Sequence, residues 1–143
     1  MGSETVNGSN AWLKTSAPSL AEMEAMAEDA YARLPEEFRT LCGNLVIRVE
    51  DFATDEVLEE MEIEDEFELL GLFQGIGLAQ GYETTTGVLP NMIFLYRRPI
   101  LDYWAEHEET LGDVVTHVLV HEIGHHFGLS DDDMERIEEE ADT

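Results

Sequence analysis

The chain has 143 residues, 43% of them apolar, which suits one domain built on one core. Thirty-three acidic residues against seven basic ones give a formal net charge of −26, and Lys14 is the only lysine. Such a surface repels nucleic acid and anionic membrane, and the one basic pair, Arg97-Arg98, does not offset it, so neither is an expected partner.

Residues 1–17 are rich in Gly, Ser, Asn and Thr and read as a loose arm, with Trp12 and Leu13 docking locally, ahead of a single domain over 18–143. The arm has no basic segment followed by an apolar run, so no signal peptide is expected. No apolar stretch approaches the roughly 18 residues of a membrane span. Ser16-Ala17-Pro18-Ser19 reads as a helix start. Leu20, Met23, Ala27, Tyr31 and Leu34 recur at helical spacing and predict an amphipathic helix over 19–34, closed by Pro35. A helical turn over 36–41 leads to Cys42. As the only cysteine it allows no intramolecular disulfide; it suits a reducing, cytoplasmic setting and a buried, unreactive place.

Residues 44–50 are β-branched and almost continuously apolar, which predicts a strand with neighbours on both sides. Residues 52–67 are dominated by acid and predict a short helix near 55–61 on a mobile loop with a solvated face. They lack the Asp-x-Asp-x-Asp-Gly spacing of a calcium loop. Residues 69–75 predict a second strand entering a turn. Gly75, Gly77, Gly81 and Gly87 make the next section loop-rich, without phosphate-binding spacing and without a cation between Arg48 and Arg97. Residues 91–96 are a third strand, entered at Pro90 and broken by Arg97-Arg98-Pro99. A helical segment over 100–104 follows. Thr110 or Asp113 caps a long helix running to about Phe127, with Val114, Val115, Val118 and Leu119 on its buried side. An acidic helix over 132–141, with Met134 and Ile137 as apolar contacts, ends the chain.

The long helix carries His121-Glu122-Ile123-Gly124-His125, then Gly128 and Asp131. Residues four apart share a helix face, so His121 and His125 can point at a single ion. Zinc takes neutral imidazoles, and three protein ligands leave a fourth position for water. Glu122 is placed to act on that water as general base. Gly128 ends the helix, and Asp131 returns as the third, oxygen ligand. Asp131 has a second reading, as a cap with Ser130 for the helix that follows. Two imidazoles and a carboxylate suit zinc, and also iron or manganese.

On these residues the chain resembles the small bacterial zincin-like metallopeptidase domains. The resemblance extends to Leu69-Leu70-Gly71-Leu72-Phe73-Gln74-Gly75, to Leu95-Tyr96-Arg97-Arg98-Pro99 and to the helix end Leu34-Pro35. It implies an α+β, minimal zincin-like fold: a small mixed sheet of roughly three or four strands packed against an N-terminal helix and the motif helix. It also implies zinc on His121, His125 and Asp131, with Glu122 as catalytic carboxylate. The pattern is similar to that of the larger metzincins as well. Those place histidine more often than aspartate at the position of Asp131 and carry a methionine turn well downstream, whereas Met134 here stands too close to form that turn.

The expected activity is hydrolysis of a peptide or protein substrate by a metal-activated water. The strand over 92–96 would line the cleft and pair its edge with an extended substrate. Tyr96, Arg97, Tyr82 and His126 are candidate oxyanion donors. His117, one turn before His121, could orient a ligand, while His126 is rotated about 100° from His125 and cannot share the site by helix geometry alone. The rival reading is a non-catalytic metal-binding or interaction module on the same fold. A monomer is expected, although nothing in the sequence fixes the oligomeric state.

Overall fold

The computed structural model describes residues 13–75 and 91–141. The order is α1 (Leu20–Ala32), α2 (Glu36–Cys42), β1 (Leu45–Glu50), α3 (Asp55–Glu60), a 3-10 turn (Glu66–Glu68), β2 (Gly71–Gln74), β3 (Asn91–Tyr96), α4 (Arg97–Ala105), α5 (Leu111–His126) and α6 (Asp131–Ala141). The architecture is α+β, with six α-helices and one three-stranded mixed sheet among the described residues. None of these helices is long and apolar enough to cross a membrane. Most of the expected arm (including Trp12), the glycine-rich section with Tyr82, and Pro90 lie outside the described residues. Leu13 is 84% exposed and does not dock.

Local chemistry sets the helix starts. Ser19 accepts from the Glu22 amide while Glu22 Oε1 accepts from the Ser19 amide, a reciprocal capping box on α1. Thr54 caps α3, and Thr110, not Asp113, caps α5 by accepting from the Asp113 amide at 3.1 Å.

The sheet order is β1-β3-β2, with β1 parallel and β2 antiparallel to β3. Two expectations change here. Among the described residues β1 has one strand neighbour, β3, and so lies at an edge. Its apolar character comes from helix cover: Ile47 is buried, Leu45 and Val49 pack on the same core, and α1 lies against the strand. Conversely, β3 is the central strand. Its backbone is paired on both sides, from Asn91 to Tyr96 with β1 and from Met92 to Leu95 with β2, and it has no edge to offer a substrate.

The main core lies on one face of the sheet. Ile93 and Leu95 of β3 meet Met23, Ala27 and Ala30 of α1 and Val115, Leu119 and Ile123 of α5. On the other face Ala53, Leu58, Leu69 and Tyr96 form a smaller cluster, backed by Leu72 and Phe94. The acidic stretch carries the expected short helix, here Asp55–Glu60. It exposes its carboxylates and buries Leu58 as a cover for the sheet. Arg97 ties three elements together, its Nε donating to the Pro18 carbonyl at 2.6 Å and its Nη1 to Asp51 Oδ1 at 3.2 Å. Cys42 is buried, and burial pushes its thiol up, away from reactivity.

Helix α5 ends in a Schellman turn. Gly128, at φ +76°, lets Leu129 N donate to Gly124 O at 2.9 Å and Gly128 N to His125 O at 3.2 Å. The turn folds α6 back on α5, and the fully buried Met134 lands on Gly124. A Cβ at Gly124 would lie 2.8 Å from Met134 Cγ and meet the sulfur as well. Met134 thus supports the motif helix from below, as a helix residue and not as a turn. Gly124→Ala is expected to lower stability in urea unfolding by ~1–3 kcal/mol through overpacking, in spite of alanine's better helix propensity. A variant as stable as the parent would contradict this packing.

Candidate metal and catalytic site

Histidines 117, 121 and 125 recur every four residues on α5 and form a ladder of rings. The His121 and His125 rings are 5.5 Å apart and nearly perpendicular, at 88°. Two imidazoles bound to one tetrahedral zinc at about 2.0–2.1 Å hold their centres about 5 Å apart, so this pair fits a shared ion. His117 stacks on His121 at 3.9 Å and 34°. Burial, then the neighbouring His117, holds the His121 imidazole below its ordinary 6.5, in the neutral form that binds metal.

Glu122 faces the sheet beside this pair. It is half-buried, and burial raises its carboxyl from 4.5 to about 7. The close approach depends on Gly71 at the start of β2. A Cβ there would stand 2.9 Å from Val118 Cγ1, 3.1 Å from Phe94 O and 3.2 Å from Glu122 Cγ. A cavity of about 280 Å³ opens above, lined by Glu68, Leu69, Leu70 and Tyr103 opposite His117, Val118, His121, Glu122 and His125.

Helix α6 forms the other flank. Ser130 caps it, accepting from the Asp133 amide at 3.1 Å, so the cap that Asp131 could have supplied belongs to its neighbour. Asp131 is the first residue of α6 and is exposed. Its charge favours protonated His121, in the same sense as that of Glu138. Asp131 is not in the tight donor group. That group, three side chains with one donor atom each within 4.8 Å of the others, is His117, His121 and Glu138. Glu138 Oε1 lies 3.1 Å from His117 Nδ1, and Oε2 lies 3.2 Å from His121 Nε2.

Of the candidate oxyanion donors, Tyr82 lies outside the described residues, and Tyr96, Arg97 and His126 are not among the residues that line the cavity. Tyr96 is buried in the smaller cluster, stacked on Phe94, with its hydroxyl pushed up to about 12 by burial and by Glu50 and Glu122. Arg97 is committed to Pro18 and Asp51. His126 packs on Phe73, ring centres 4.3 Å apart, near Gly75 and away from the cavity lining. Tyr103, on the cavity wall, and Glu138, in the donor group, were not singled out by the sequence reading. Glu138 carried a signal: Met134, Ile137, Glu138 and Ala141 fall on one helical face, so a carboxylate stands in an apolar stripe. Tyr103 carried none beyond its place in a helix near the motif.

An α+β fold that sets His-Glu-x-x-His on a core helix beside a sheet defines a zincin-type site. Residues 42–141 match the family of zincin-like metallopeptidases, and the chain belongs to that family. No curated protein matches the chain.

Burial of Glu122 has a thermodynamic consequence in metal-free protein. Its folded-state carboxyl titrates above the unfolded one, so its contribution is intact below pH 4.5 and is lost as pH rises through about 7. Glutamine mimics the protonated form. In chelator, Glu122→Gln is expected to match the parent at pH 4 and exceed it at pH 8 by ~1–2 kcal/mol after solvent screening. Unfolding curves at the two pH values check this; a difference independent of pH would contradict it.

Proposed function

We propose that the chain is a zinc-dependent peptidase in which His121, His125 and Asp131 hold the metal and Glu122 is the general base. The observation that carries this reading is the half-buried Glu122 carboxyl, raised to about 7, beside a perpendicular imidazole pair of the right separation for one ion. When bound, zinc would polarise the scissile carbonyl and acidify the attacking water. Glu122 takes the proton from that water and returns it to the leaving amine. An extended peptide fits the outer edge of β2, which has no strand partner among the described residues and begins beside Glu122. Tyr103, whose side chain belongs to the cavity wall, is our candidate donor to the developing oxyanion.

Glu122→Gln should keep zinc at the parent's stoichiometry while peptide hydrolysis falls by at least ~10³-fold. Metal retained with hydrolysis unchanged would remove Glu122 from the mechanism. Metal retained in the parent with no hydrolysis of any peptide in a mixed library would favour a binding module instead. Tyr103→Phe should lower kcat by ~10–10²-fold with little change in KM. A pure KM effect would place the hydroxyl in substrate binding only.

A further inference from the structure

The histidine ladder on α5 offers His121 two partners, and the motif uses only the one below it. On the other side stands His117, also four residues away and stacked on His121. Glu138 reaches across from α6 and sets one carboxylate oxygen against each ring, at 3.1 and 3.2 Å. Glu138 is only 25% exposed and lies on the stripe by which α6 packs against α5, behind Met134 and Ile137. Its position is therefore fixed by packing.

We infer that His117, His121 and Glu138 form a divalent-cation site of their own, overlapping the motif pair at His121. The three donor atoms lie within 4.8 Å of one another, one carboxylate oxygen against each ring. The two imidazoles, stacked 3.9 Å apart against the about 5 Å of a tetrahedral pair, must open by about 1 Å to seat one ion. The nitrogen of His121 that faces Glu138 cannot both donate a hydrogen to the carboxylate and ligate a metal. Ligation therefore takes the His121 tautomer whose proton sits on the other ring nitrogen, which leaves this nitrogen and the carboxylate free to hold the ion together. Two nitrogens and one oxygen favour zinc or cobalt over calcium or magnesium. Because both sets draw on His121, the two positions are alternatives for one ion. Glu138 and His117 thus decide how much of the bound metal stands at the motif pair. This inference rests on the family's metal dependence and not on hydrolysis.

Cobalt titration followed by visible absorption and by equilibrium dialysis tests it. The double variant His125→Ala/Asp131→Asn loses the motif ligands and should still bind about one equivalent of Co²⁺ with the bands of a four-coordinate site. Adding Glu138→Gln should weaken that binding at least ~30-fold. Glu138→Gln alone should leave about one equivalent of Co²⁺ bound to the otherwise unaltered chain and change its visible bands, because the ion then stands only at the motif pair. Loss of all cobalt from a double variant that keeps its helical signal, unchanged affinity of that double variant after Glu138→Gln, or visible bands of the unaltered chain indifferent to Glu138→Gln, would overturn the site. Failure of the peptidase reading would look different: cobalt bound as described and no peptide cleaved by the zinc form.

Discussion

The structure depends on how closely α5 is gripped from two sides. On the sheet side Gly71 has no side chain to hold off Val118 and Glu122. On the other side Gly124 has none to hold off Met134. With those two absences, a sixteen-residue helix sits flush between β2 and α6. Everything chemical follows from that position. Glu122 is carried into a half-buried place against β2, and the histidines on the adjacent face are left lining a cavity. The Schellman turn at Gly128 then returns α6 so that its first turn and Glu138 flank the same histidines.

The grip carries an energetic conflict. A carboxyl raised to about 7 is a group the metal-free fold would sooner keep protonated. Its presence costs stability at neutral pH and is retained beside a pair of metal-ready imidazoles. Such a cost fits the general-base role proposed for Glu122, since a purely structural position could be filled by an uncharged side chain. His121, lowered by burial and by His117, shows the complementary adjustment: the neutral ring is favoured where a metal ligand must be neutral.

Much of this was legible in the sequence, for physical reasons that also explain the gaps. The helix starts at Ser19 and Thr110 are chemical signals local to a few residues, and so are the turn at Gly128 and the His121/His125 pair. Sheet order is not local. A run such as Leu45–Glu50 reads the same whether its apolar side chains meet a second strand or a covering helix, so the edge position of β1 was invisible and the central place of β3 with it. Met134 is too near the motif to form a methionine turn, and distance along the chain does not reveal that it supports the motif helix from a neighbouring helix instead. A tight turn makes short separations the effective ones. Glu138 was one carboxylate in a helix crowded with them, and its signal, a place in the apolar stripe of Met134 and Ile137, gains weight only once that stripe is seen to pack on α5.

The central claim is that one metal ion is held by imidazoles of α5 together with a carboxylate from α6. X-ray absorption at the zinc edge, on stoichiometrically loaded and dialysed protein, addresses it most directly. The account predicts a first shell of only nitrogen and oxygen at about 2.0–2.1 Å, with the outer-shell scattering of two imidazole rings. A shell of oxygen alone without imidazole scattering, or zinc that dialyses away entirely, would contradict it.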